Sequence, residues 1–285
     1  MPVDFAAAET FVWSAARLVD RHRYAMLFAG GPAGPVATAL APYQNADGGF
    51  GHALEPDLRC PGSQPAATLY ALEMLLEAGM TDTDMARRAR GWIASVAGPD
   101  GGIPFALPGF EAYPHSPWWE PGPPSSFLTM ALAAALHASK VTDDQWLSRA
   151  TDWSWAQIDA TAKPSAYWLK YACGFLDAVP DEDRARAAIA ALRSRIDSTT
   201  LAPDAGTEGE TLRPLDLSPR PGRPSRELFT QAQIEAHLDA VEEGQQEDGG
   251  WMFDWLAWSP AQTAAWRGVL TIQALVWLRD NRGSV

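Results

Sequence analysis

The chain has 285 residues, enough for one large domain or two small ones with a substantial core, and its 47% hydrophobic content is ordinary for a soluble globular protein. Thirty-five acidic residues against 22 basic ones leave a net charge of −13, which opposes non-specific binding to nucleic acid or to an anionic membrane surface. No apolar run approaches the roughly 20 residues that span a bilayer.

The N-terminus, MPVDFAAAETFVWSAARLVD, carries acids where an export signal would carry bases, so a cytoplasmic location is expected. Cys60 and Cys173 have neither CxxC spacing nor a histidine neighbour and read as two reduced thiols. Helical periodicity predicts helices over about 5–22, 34–42, 65–78, 83–96, 125–138, 143–159, 164–177, 181–196, 226–243 and 261–280, while strand signals are sparse. Helix-starting residues stand near most of these boundaries, among them Thr81-Asp82, Thr142-Asp143, Pro180-Asp181 and Ser259-Pro260. GGPAGP (30–35) contains two prolines, which have no amide to offer a phosphate, and reads as a connector between helices.

The loop after the second predicted helix, QNADGGFGHALEPDLRCPGSQP (44–65), contains a pattern that recurs. LAPYQNADGGF (40–50), IASVAGPDGGI (93–103) and VEEGQQEDGGW (241–251) align on their DGG triplets, with Phe50, Ile103 or Trp251 after the glycines. Each is followed by a loop and then a helix with an Ala-Leu pair: TLYALEMLLEAG, TMALAAALHAS and TIQALVWLRDN. Such spacing belongs to repeated supersecondary units that stack their apolar faces. The triplet has a turn's chemistry: Asp accepts backbone N–H groups, glycine takes positive φ, and the apolar residue pins the turn to the core.

Gln44-x-x-x-Gly48-x-Phe50 and Gln245-x-x-x-Gly249-x-Trp251 resemble the QxxxGxW (QW) repeat of the terpenoid-cyclase and protein-prenyltransferase superfamily. The resemblance covers the repeat framework over most of the chain. It implies an all-α fold, an α/α-toroid of about five helical hairpins forming one domain over residues 1–285. The superfamily's DxDD and DDxxD acid motifs are missing, as is a zinc-binding Asp, Cys and His set. The signatures of serine hydrolases, P-loop nucleotide enzymes and zinc metalloproteases are also missing. No metal and no cofactor is called for.

In a toroid, the loops after the DGG turns should come from one end of successive hairpins and converge on one rim. The first carries His52, Glu55, Asp57 and Arg59; the second Trp118 and Trp119; the last Asp254 and Trp255. Carboxylates among tryptophans suit general acid–base catalysis in an aromatic cavity, where burial raises the pKa of an acid. Asp254 or Glu55 is the expected acid and Asp57 its partner, with His52 as a base or orienting group. Arg59, Trp118, Trp119, Trp255, Tyr167 and Trp168 are expected to contact substrate. Such a cavity suits a carbocation, a sugar or an organic cation. The expected ligand is a small or medium organic molecule of isoprenoid character, with a carbohydrate-active enzyme or a non-catalytic ligand-binding toroid as alternatives.

Overall fold

A computed structural model describes residues 3–196, 201–203 and 210–283. Those residues form α-helices joined by turns and loops, with isolated bridges and no strand. In chain order the helices are α1 (Phe5–Ala15), α2 (Leu18–Phe28), α3 (Gly34–Leu40), α4 (Pro65–Glu77), α5 (Asp84–Val96), α6 (Leu128–Ala138), α7 (Gln145–Ala160), α8 (Ala166–Ala178), α9 (Glu182–Arg193), α10 (Pro214–Leu217), α11 (Gln231–Glu243) and α12 (Pro260–Arg282). Short 3-10 turns follow α3 and precede α11.

Outer and inner helices alternate around a ring. On the inside, α4 packs on α6, α6 on α8, and α12 on α2, while the Arg23–Glu77 ion pair at 2.8 Å ties α2 to α4. Each outer helix packs against the inner helix that precedes it: α3 on α2, α5 on α4, α7 on α6, α9 on α8, α11 on α10, and α1 on α12. Among the described residues that makes six outer–inner pairs, one of them stunted because its inner member, α10, is a single turn. Burial follows the arrangement. Inner α4 and α6 are covered on nearly every face, whereas outer α5 buries only Ala86, Ala89, Trp92 and Ile93.

Helix starts have local causes. Asp4, Thr83, Asp144, Asp181, Thr230 and Ser259 each accept an orphan amide of the first turn. One boundary is unmarked in sequence. The helix predicted over 5–22 breaks at Ala16 and Arg17, both extended, because the chain must pass there from the outer to the inner layer. The Arg21 Nε–H meets the freed Ala16 carbonyl at 2.8 Å, and Arg17 Nε–H meets Asp20 at 2.7 Å.

The DGG turns build the ring in three identical ways. Asp47, Asp100 and Asp248 each accept the amide two residues on, at 3.0, 3.0 and 3.1 Å. The next amides, of Phe50, Ile103 and Trp251, donate to threonine hydroxyls of the following inner helix: Thr68 at 3.1 Å, Thr129 at 2.8 Å and Thr271 at 3.2 Å. The first glycine has φ of +98°, +87° or +90°, and each turn sits flush on the next outer helix. A Cβ on Gly48 would lie 2.5 Å from the Arg88 carbonyl oxygen, and one on Gly249 2.2 Å from that of Ala7.

Gln44 and Gln245 explain the rest of the repeat. Each amide group donates to the carbonyl of the glycine four residues on, at 3.0 Å in both cases. Each also reaches the start of the next outer helix: Gln44 donates to the Met85 carbonyl at 2.9 Å, and Gln245 both donates to and accepts from the Asp4 backbone at 2.8 Å. The last turn thereby fastens the last repeat onto the first.

Candidate functional site: an aromatic cavity inside the ring

The first post-DGG loop is twisted inward by two consecutive left-handed residues, His52 (φ +56°) and Ala53 (φ +62°). Such backbone is unfavourable for residues with a Cβ and persists only when its surroundings hold it. Here the His52 amide donates to the Cys60 carbonyl at 2.9 Å, and Arg17 Nη1–H donates to the Leu54 carbonyl at 2.7 Å. The result is that Glu55 and Asp57 turn into the protein, with 5% and 4% of their surface exposed.

Both carboxyls line a cavity of about 800 Å³ enclosed by the ring. The N-terminal halves of α4, α6 and α8 form its wall, with Tyr70, Phe127 (which caps α6), Tyr167, Trp168 and Tyr171; α12 adds Trp266. The second loop contributes Trp118 and Trp119, the third Trp255, and outer α7 contributes Trp153. The rings run in two series. Trp119 stacks on Phe105 at 4.5 Å, Phe105 meets Phe127 edge-on at 5.5 Å, and Phe127 stacks on Tyr171 at 5.2 Å. Across the cavity, Trp255 meets Trp266 at 5.0 Å and Trp266 meets Tyr70 at 6.1 Å.

The two carboxyls are in different situations. Glu55 is pushed well above the usual carboxylate range, first by burial and then by the nearby Asp57 charge; the amides of Asp57 and Leu58 and the Arg17 charge pull the other way without winning. Its Oε2 is buried and has no hydrogen-bond partner. Asp57 Oδ1 accepts two N–H groups from the third loop and α12, Trp258 Nε1 at 3.1 Å and Gln262 Nε2 at 2.9 Å. Gln262 is fully buried and also donates to the Leu256 carbonyl at 3.2 Å, so the third loop, α12 and the first loop are locked together at Asp57.

Deeper along α4, Glu73 stands one turn below Tyr70. Its side chain keeps accessible surface and lines neither chamber. Burial raises it to about 7, against the opposing pull of Lys170 and Arg23. Tyr70 and Tyr171 are likewise raised, chiefly by burial.

A smaller chamber of about 360 Å³ adjoins the first where the inner helix is reduced to α10. The two share Tyr167, Lys170, Glu210, Trp255 and Gln273. Asp254 faces this side chamber, with its pKa raised by partial desolvation. His237, also there, is lowered to about 4 by burial and by Arg213.

The candidate residues thus divide. Glu55, Asp57, Trp118, Trp119, Trp255, Tyr167 and Trp168 meet at the central cavity. Asp254 lies in the side chamber, apart from Glu55 and Asp57. His52 is exposed at the loop surface, with Nε2 3.0 Å from Asn45 Oδ1, and Arg59 bonds through its backbone amide to the Pro114 carbonyl at 3.0 Å; neither lines a chamber. Residues with no signal in the sequence include Tyr70, Trp153, Trp266 and Gln262, which sit on helix faces where an aromatic or polar residue at helical spacing looks like any other. Among the described residues no group of three or more His, Cys, Asp or Glu is arranged to hold a metal ion, and no helix is long and apolar enough to cross a membrane.

An acid-lined aromatic cavity within a closed ring of paired helices defines the class: an α/α-toroid with an interior pocket. No protein-family model matches the sequence, and no curated protein matches it. Among solved structures, the fold is shared by a protein from Actinoplanes that is 17% identical, with a TM-score of 0.52 over 96% of this chain and 88% of that one. The apo structure of the type II terpene cyclase MstE from Scytonema is 16% identical and covers 86% of this chain and 80% of its own, at a TM-score of 0.48.

Proposed function

We propose that the protein is an enzyme acting on a small or medium organic substrate of isoprenoid character, by carboxylate acid–base catalysis inside the ring. The observation that carries this reading is Glu55: a buried carboxyl lining an aromatic cavity, its pKa pushed well above the usual carboxylate range by burial, with an oxygen that has no hydrogen-bond partner. A protonated acid in such a place donates its proton to a double bond or to a leaving group. Asp57, fixed by two N–H donors, is the neighbouring carboxylate that stabilises the positive charge so created or receives a proton from it. The rings of Trp119, Trp255 and Trp266 hold the substrate away from water and face developing positive charge with their π-clouds. The QW-type turns favour an isoprenoid over a sugar.

The test is to incubate the protein with linear polyprenyl compounds, and separately with oligosaccharides, and to analyse products by mass spectrometry. Conversion of a polyprenyl compound is expected, with loss of about 100-fold or more in Glu55→Gln, the scale at which a general acid contributes. Turnover in Glu55→Gln equal to wild type would remove Glu55 from the chemistry.

A further inference from the structure

The side chains around the central cavity define the charge of its ligand more narrowly than its size. Among the described residues, eleven aromatic rings line it, against four carboxyls and one base, Lys170. Most of these rings pack against one another; Tyr167 instead has Lys170 over its ring, and Trp118, Trp153 and Trp168, packed in part against the apolar core, have no ring partner among the described residues. They come from three separate elements, the second loop, α7 and α8, and border the same space. An indole face without a ring partner carries negative potential that water solvates poorly and a soft cation solvates well.

The single base does not cancel this preference. Lys170 stands at the junction with the side chamber, 6.0 Å from the Tyr167 ring centre, and its charge acts on Glu73 below and on Asp216 in the side chamber. The acids that face the central space are Glu55, Asp57, Glu120 and Glu210. Glu210 is engaged by the Tyr167 hydroxyl at 2.9 Å, and Asp57 by its two N–H donors, so each is held in place as a fixed acceptor.

From a cavity wall of eleven aromatic rings and four carboxyls with a single base at one end, we infer that the central cavity binds an organic cation, a quaternary ammonium or a protonated tertiary amine. This rests on the reading of that cavity as the substrate site and narrows it: the apolar, isoprenoid-like body of the ligand carries a cationic nitrogen. The cationic nitrogen sits among Trp118, Trp153 and Trp168 with Asp57 as its counter-charge, and the remainder of the molecule fills the apolar space toward Trp255 and Trp266. A neutral molecule of the same shape gains the burial but not the cation–π and carboxylate terms.

The experiment compares choline with its uncharged isostere 3,3-dimethyl-1-butanol, which differs in carrying carbon in place of the charged nitrogen. Both are titrated into the whole protein by calorimetry in 0.15 M salt, which screens the general attraction of an acidic surface for cations. Choline is expected to bind at least tenfold more tightly than the alcohol. In a Trp118→Leu, Trp168→Leu double variant that preference is expected to fall below about threefold while the alcohol still binds, which reports an intact fold. Asp57→Asn, which leaves every ring in place, is expected to reduce it severalfold. Equal binding of the two probes overturns the cation assignment alone and leaves the acid–base reading standing. A preference that survives both variants also overturns it, since the cation would then be held elsewhere. Failure of choline to bind the wild type overturns this inference alone; the substrate-site reading falls only if no polyprenyl compound is converted.

Discussion

Glu55 and Glu73 show how far position alone can move a carboxyl. Each is raised first by burial, and in each the nearby cations are outweighed. A carboxyl with a raised folded-state pKa favours folding most at low pH, where it is protonated in both states, and that contribution disappears as pH rises through the folded value. For Glu73 the window runs from its ordinary 4.5 to about 7. The melting temperature of the wild type should therefore fall across that window more than that of Glu73→Gln, measured by calorimetry at half-unit steps; parallel curves would show that Glu73 does not titrate there. Gln262 offers a second test. Gln262→Leu removes one of two donors to a buried carboxylate and should lower stability by about 1–3 kcal/mol in denaturant unfolding. An unchanged midpoint would mean that water replaces the donor. These residues also mark the limit of what sequence reveals at this scale. Glu55 stood out because it lies in a loop after a DGG turn, whereas Glu73 and Gln262 lie inside helices, where nothing in the sequence sets them apart.

At the level of elements, the DGG turns were readable because their function is local: an Asp caps the turn, a glycine takes positive φ, and both requirements leave residues in the sequence. The break between α1 and α2 was not readable, because no Gly or Pro causes it; the passage from the outer to the inner layer does, through Arg17 and Asp20. The single-turn α10 was hidden for the opposite reason, since the prolines around it leave no helical periodicity to read. The repeated turn makes a graded prediction. Gly249 and Gly79 both have positive φ, +90° and +67°. An alanine at Gly79 meets no atom within 4 Å and should cost about 1 kcal/mol of backbone strain. At Gly249 it collides with the α1 backbone at 2.2 Å and should cost several kcal/mol or prevent folding. Urea unfolding of the two variants checks this, and equal losses would show that the turn does not press on α1. Thr271→Val should cost about 1–3 kcal/mol in the same assay, by leaving the buried Trp251 amide without an acceptor.

At the level of the whole molecule, a ring must be closed somewhere, and here the seam is the Gln245–Asp4 staple. Its partners are 241 residues apart, whereas the equivalent Gln44–Met85 contact joins residues 41 apart. Loop-closure entropy grows with the logarithm of that separation, so the seam costs about 1.6 kcal/mol more to close than an internal joint. Contacts of such long range form late in folding, after the local hairpins have stacked. The seam should therefore be absent from the folding transition state. Gln245→Ala should accelerate unfolding while leaving refolding nearly unchanged, and stopped-flow kinetics that showed the reverse would place ring closure first. In kinetic terms, the lifetime of the closed cavity is set by the joint where the last repeat meets the first.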